Sequence, residues 1–271
     1  MILFRRTGEA FRKIEDREWL LLALETLGVL AGILIAFELQ LWGQRRSEAA
    51  RHHQLMERLF EETESDVASI RYMRNVLGPN VKLEQAFAAR IGRGECPPDA
   101  DFQSVVTLGM LPALTPPNSA YQELMGAGGL SSIDREDVRT ALARFHEEVE
   151  FSQKQIDYFR MVKRDAVQDS DKRTQIRFDP TADEPEIVTF DRPALCQDQG
   201  FRNLVASQTR QHTVFLRFIQ NPLEEAINLC VRLGDSLGRK CTPPYGGPLT
   251  GDDAKIAATA ASKMIKERGK T

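Results

Sequence analysis

Residues 20–42 read LLLALETLGVLAGILIAFELQLW, an apolar run with one acid, Glu25, well inside it and a second, Glu38, near its end. As a helix, Leu20 to Leu41 rises about 33 Å, against a hydrocarbon core of roughly 30 Å, so the run is long enough to span a bilayer. A secretory signal peptide is also N-terminal and basic at its start, but its apolar region is about 7–15 residues long and ends in a small-x-small cleavage site. Here the run is longer, and Glu38, Gln40, Leu41 and Trp42 close it. We read an uncleaved anchor. Trp19 and Trp42 stand at its two ends, where an indole buries its ring and keeps its N–H wet. A buried helix of a soluble domain fits less well, because nothing downstream is apolar enough to wrap it on all sides.

Arg5, Arg6, Arg12, Lys13 and Arg17 precede the run, and Arg45, Arg46 and Arg51 follow it. The imbalance favours a cytoplasmic N-terminus. Cys96, Cys196, Cys230 and Cys241 form an even set on the opposite side, which suits an oxidising compartment. The expected organisation is a cytoplasmic segment (1–18), a transmembrane helix (19–42), an extracytoplasmic helical domain (43–250) and a loosely held helical tail (251–271). No CxxC spacing occurs and no His neighbours a Cys, so no zinc site or other cofactor is expected. With a net charge of −3 and scattered basic residues, the chain has no nucleic-acid footprint.

Beyond the run, an all-α pattern dominates. From Gln44 the chain reads as one stalk helix with Met56, Phe60, Thr63, Val67, Ile70 and Leu77 at steps of three and four, ending at Gly78-Pro79. A shorter helix over Val81 to Ile91 then turns back. GRGECPPDAD (92–101) reads as a loop, Asp101 to Leu111 as a short helix, and PALTPPN (112–118) as a break. A second long helix starts near Ser132 or Asp134 and carries Val138, Leu142, Phe145, Val149, Ser152, Ile156 and Phe159 on a narrow seam. Asp171 to Leu195 is polar and Pro-containing, a long connection with an extended piece at Glu186 to Phe190. A third long helix runs from Gln197 to about Leu237, bent at Pro222, with Phe201, Leu204, Val205, Phe215, Phe218, Ile219, Ile227 and Val231 inward. CTPPYGGPLTGDD (241–253) ends the packed domain. The expected architecture is an elongated antiparallel helical bundle on a membrane helix.

Two pairings of the cysteines follow from helix length. Cys230 and Cys241 flank the end of the third helix and can close a short loop. Cys196 sits at the helix's other end, about 50 Å from Cys230 if the helix is straight, whereas a disulfide needs Cα atoms within about 7 Å. Exclusion leaves Cys96 with Cys196.

On a helical wheel Glu25, Gly28, Gly32, Ala36 and Gln40 share one stripe of the run, and Glu38 lies opposite. Gly28 to Gly32, extended by Ala36, is the small-xxx-small pattern that lets two helix backbones approach, and Gln40 can hydrogen-bond across such a contact. An acid inside hydrocarbon costs on the order of 2–3 kcal/mol unless it is protonated or partnered. This stripe is the expected transmembrane contact face, with a second copy of the chain or another membrane protein as partner. The competing account has Glu25 snorkelling to the inner surface, about five residues from Leu20.

The order of basic N-terminus, ETLGVLAGILIAFELQLWGQRR (25–46), charged stalk, then PNSAYQELMGAGGLSSIDREDVRTALARF (117–145) resembles a family of bacterial single-pass membrane proteins catalogued as a domain of unknown function. The resemblance rests on Glu25, Gly32 to Ala36, Gln40 with Trp42, and on Tyr121, Leu124, Gly129, Leu130 and Ile133. It covers the apolar run well and the remainder thinly. Phe37-Glu38, the longer loops and the four cysteines depart from the pattern. The resemblance implies a membrane-anchored helical protein and supplies no activity.

Motifs of chemistry are sparse. His52-His53 lack the i,i+4 spacing of a metal pair, and His146-Glu147-Glu148 is not HExxH. Gly126 to Gly129 lacks the Lys and the preceding strand of a phosphate loop and reads as a helix cap and turn. Glu61, Glu62, Glu64 and Asp66 interleave with Arg58 and Arg71 and read as a solvated face. Tyr121 and Leu124 read as packing anchors. No nucleophile, base and oxyanion donor can be nominated together, so an enzyme is not expected. The expectation is a membrane-tethered periplasmic helical module that binds a protein or a ligand between its long helices. The rival is an accessory subunit of a transporter or other membrane complex, contacting partners through Glu25.

Overall fold

The computed structural model describes residues 16–162, 166–167, 172–181 and 186–268. They are overwhelmingly helical: α1 (Asp16–Gly92), α2 (Asp99–Thr107), α3 (Ser119–Gly126), a 3₁₀ turn (Gly129–Ser132), α4 (Glu136–Val162), α5 (Arg192–Gln197), α6 (Gln199–Leu237) and α7 (Gly251–Arg268). One sheet is present among them, the antiparallel pair β1 (Thr174–Phe178) and β2 (Glu186–Phe190), in register at Ile176 opposite Val188. The chain divides into two compact units at Leu55/Met56. The first carries the apolar run, whose side chains from Ala23 to Gln40 are exposed, and among the described residues this is the one helix long and apolar enough to cross a membrane. Arg46 lies over the Trp42 ring, 5.4 Å from its centroid.

In the second unit the apolar seam of α1 is buried: Met56, Phe60, Thr63, Val67, Ile70 and Leu77. The helix does not stop at Gly78-Pro79, and Val81 to Ile91 does not turn back. Pro79 lies inside α1. Proline removes one intrahelical hydrogen bond and crowds the preceding turn, yet Leu77 and Val81 on either side of it are both buried, and Phe87 and Ile91 continue the stripe. Continuous burial outweighs the local break. The expected solvated face of α1 holds for Arg58 and Glu61, which are exposed, and is corrected for Glu64, Asp66 and Arg71. Thr63, Glu64, Asp66, Val67, Ala68, Ile70 and Arg71 are all buried, which at 100° per residue covers an arc of about 200° of the helix.

α4 and α6 run antiparallel. Their aligned contacts pass from Asp137–Arg232 at one end, through Glu148–Asn221, to Phe151 and Phe159 around Phe218 at the other. Val138, Ala141, Leu142, Phe145, Ser152 and Ile156 of α4, with Phe215, Ile219, Leu223, Ala226, Ile227 and Leu233 of α6, are buried. A second core gathers Phe87, Ile91, Phe102, Val105, Val188, Leu195, Phe201 and Val205, with Phe102 edge-on to Phe87 at 4.9 Å. β1, unexpected from the sequence, pairs with β2 although Thr174 is its one buried residue.

Cys96 is joined to Cys196, across a separation of 100 residues, and Cys230 to Cys241, across 11. In the chain-entropy account such closures stabilise by about 4.7 and 3 kcal/mol.

The tail is not loosely held. Asp253, at the start of α7, takes Arg74 bidentately at 2.6 and 3.0 Å and Arg71 at 3.2 Å. Ala260 and Met264 are buried, and Glu267 accepts from Arg232 at 2.9 Å. The sequence suggested little apolar surface here; the anchoring is ionic.

Gly234 sits inside α6, where alanine normally stabilises by up to about 1 kcal/mol. Here a Cβ would lie 2.7 Å from the Arg239 carbonyl oxygen and 3.1 Å from the Phe60 ring. Overpacking of this kind costs roughly 1–3 kcal/mol and wins. Gly234→Ala is expected to lower the thermal midpoint by several degrees, as circular dichroism would read; an unchanged or raised midpoint would show that the helix end yields freely.

Candidate functional site

A groove of about 470 Å³ lies between α4, α6 and α7, inside the range of small-ligand sites. Its floor is a connected set of charges. Arg135 grips Asp137 through Nε (3.0 Å) and Nη2 (2.6 Å) and reaches Asp235 through Nη1 at 2.5 Å. Arg232 donates to Asn228 (3.0 Å), Asp137 (3.2 Å) and Glu267 (2.9 Å). These ties draw Arg135 toward Asp137, raising its pKa by hydrogen bonding. Asp137 ends below its usual value because its two arginines outweigh the burial that opposes them. Along one ridge of α4, Glu136, Thr140 and Arg144 also line the groove at successive turns. Ala141 and Met264 add buried apolar surface. A smaller cavity of about 370 Å³ lies between α1, α2 and β2, bordered by Leu83, Phe87, Arg90, Gln103 and Val188.

Two polar clusters, one buried and one half-buried, flank the cores. His212, with its side chain wholly buried, meets the Glu84 carboxylate through Nδ1 at 2.7 Å and the Met110 carbonyl through Nε2 at 2.7 Å. Both ring nitrogens are engaged, which fixes the orientation of the ring. Thr107 donates a third bond to Glu84 at 2.8 Å. Sequence reasoning missed this pair, whose members stand 128 residues apart.

The second cluster surrounds Glu62. Its carboxylate accepts from the Ser119 hydroxyl (2.7 Å) and the amides of Ala120 (2.9 Å) and Tyr121 (3.4 Å), tying the first turn of α3 to α1. Tyr121 stacks on His146, with ring centroids 3.4 Å apart. Asp66, one turn along α1, is buried, and its Oδ1 has no hydrogen-bond partner among the described residues. Burial, aided by the Glu62 charge, pushes Asp66 from 3.8 up to about 8. Burial lowers His146 from 6.5 to about 4, with Glu62 opposing.

The residues of the expected transmembrane face, Glu25, Gly28, Gly32, Ala36 and Gln40, all lie on α1 and are exposed. A Cβ at Gly28 or Gly32 would meet nothing within 4 Å. Gly126 ends α3 and Gly128 and Gly129 take positive φ into the 3₁₀ turn, so the segment is a cap and turn. Leu124 is buried, as a packing anchor should be. Among the described residues no three His, Cys, Asp or Glu side chains gather in a metal-binding arrangement. No protein-family model, curated protein or solved structure matches the chain.

Asp66 and His146 oppose one another in linkage. Asp66, raised when folded, contributes stability that is full below pH 3.8 and is lost as pH rises to about 8. His146, depressed when folded, contributes stability that is full above pH 6.5 and is lost as pH falls to about 4. Each slope is about 1.4 kcal/mol per pH unit, so they cancel between about pH 4 and 6.5, and Asp66 alone acts from there to about pH 8. Asp66→Asn is expected to abolish the fall above pH 6.5 and uncover a rise below it. Urea titrations across that range check this; a variant with the parent's profile would remove Asp66 from the account.

Proposed function

We propose that the protein is a membrane-anchored, extracytoplasmic helical module that binds a ligand or a protein segment between its long helices, without catalysis of its own. The observation that carries this reading is the groove between α4, α6 and α7, where ionised side chains and two apolar ones line a ligand-sized volume. In this reading the apolar run of α1 is a single span with the N-terminus in the cytoplasm, and the helices beyond it form a bundle in the periplasm. The exposed apolar side chains, the length of the run and Arg46 over Trp42 at its end support a span. Two cystines support an oxidising compartment. The resemblance to single-pass bacterial membrane proteins of a domain of unknown function is part of the same proposal.

Thr140 is exposed on the groove wall, so Thr140→Trp fills the groove without disturbing the seam. A low-molecular-mass periplasmic extract is expected to raise the melting temperature of the detergent-solubilised parent by a few degrees, as a ligand at about ten times its Kd does, and to leave Thr140→Trp unmoved. An equal response in both, or none in the parent, overturns groove binding.

The alternative, an accessory subunit joined through its span, is favoured by one observation: Gly28 and Gly32 leave open space beside Glu25 on an exposed face. Gly28→Ile with Gly32→Ile, and separately Glu25→Leu, are expected to weaken association through the span at least severalfold in a membrane two-hybrid assay, and a stoichiometric membrane protein co-purifying with the parent in mild detergent is expected to be lost with them. Undiminished association would leave Glu25 to snorkelling.

A further inference from the structure

We propose that the groove between α4, α6 and α7 recognises a small zwitterion, an amino acid or short peptide with free termini. The proposal rests on the reading of the protein as a binding module and names that module's ligand. The charges lining the groove divide into two sets. Those of the floor, Arg135, Asp137, Arg232 and Glu267, are spent on one another, at separations of 2.6–3.2 Å. Those of the ridge are not. Among the described residues, Glu136 and Arg144 make no ion pair and Thr140 no side-chain hydrogen bond, although all three line the same volume. One unspent anion and one unspent cation remain, two helical turns apart, with a hydroxyl between them.

Opposite charges at positions i and i+8 are separated by about 12 Å along the axis, too far for Glu136 and Arg144 to satisfy each other directly along the helix. A ligand lying between them can be reached by both flexible side chains. The guanidinium offers a planar pair of donors that fits a carboxylate, and Glu136 accepts from an ammonium. Ala141 and Met264 give the ligand's apolar part a surface to cover. Balance of charge selects the class. Three arginines and three acids line the groove, so the site offers no net field to a lone anion or a lone cation, and each would meet a like charge. A molecule carrying both charges meets neither penalty.

The experiment is calorimetric titration and thermal shift on the full chain in detergent micelles. The probes are the twenty standard amino acids with diglycine, dialanine and dileucine, each hit repeated in N-acetylated and C-amidated form. At least one free zwitterion is expected to bind, and capping either end is expected to weaken it at least tenfold. Arg144→Gln should erase the difference between free and amidated forms, and Glu136→Gln the difference between free and acetylated forms. Both residues are exposed, so both variants should melt with the parent. Failure of every probe to bind the parent overturns the proposal, as does equal binding by the parent and both variants. If the parent still responds to periplasmic extract in a manner that Thr140→Trp abolishes, the groove-binding reading stands and only the zwitterion falls. If that response is absent too, both fall.

Discussion

The start of α3 and the connection from α6 to α7 draw backbone hydrogen bonds from charged side chains of α1. Glu62 accepts the amides of Ala120 and Tyr121, Glu64 accepts the amide of Thr242 at 2.6 Å, and Arg71 donates to the carbonyls of Gly246, Gly247 and Pro248. Segments rich in Pro and Gly cannot pair with themselves, and an unpaired backbone group away from water costs on the order of 1–3 kcal/mol. A charged side chain is a strong substitute partner. The belt from Glu62 to Arg71 therefore does for the connections what a sheet ladder does in other folds. It also explains the burial of Glu64 and Arg71, whose charged groups meet fixed donors and acceptors.

The same device recurs at the other core. His212 on α6 ties Glu84 of α1 to the Met110 carbonyl, and Arg160 of α4 donates to the Leu111 carbonyl at 2.7 Å. Gln153 accepts the Leu114 amide at 2.7 Å. The irregular stretch between α2 and α3 is thus held at Met110, Leu111 and Leu114 from two long helices, α4 and α6. A buried pair such as Glu84–His212 contributes little compared with an apolar substitute, but removing one partner strands the other at a cost of several kcal/mol.

Apolar spacing made the long helices legible, because Met56 to Leu77 and Val138 to Ile156 repeat at steps that only a buried helix face requires. The cystine argument needed only helix rise, since a straight helix keeps Cys196 far from Cys230. What stayed illegible was the pairing of charged side chains with distant backbone groups. Glu64 and Arg71 look solvated at helical spacing, and their partners lie 175–178 residues away. Pro79 carries a strong local stop signal, overridden by burial on both sides. TQIRF in β1 alternates Ile176 and Phe178 with Gln175 and Arg177, but the run is five residues long, sits in a polar connection and leaves both apolar side chains exposed. In the groove, Glu136, Thr140 and Arg144 have the spacing of any exposed helix ridge. Their significance depends on a facing wall, and the segment forming that wall is polar enough to pass for a loose tail.

That wall depends on the belt. Cys230–Cys241 returns the chain toward α6 as soon as the helix ends, with Gly238 in the left-handed conformation closing it. Glu64 and Arg71 then fix the loop from Thr242 to Pro248, and Asp253 docks the start of α7 on Arg71 and Arg74. Only with its start fixed does α7 bring Met264 and Glu267 back to Arg232 and complete the groove. Arg71 serves both the loop carbonyls and Asp253, so one buried guanidinium couples the conformation of the loop to the position of α7. The groove's geometry is therefore set by side chains of α1 that do not line it, and its shape follows the integrity of the belt more closely than the identity of its own exposed residues.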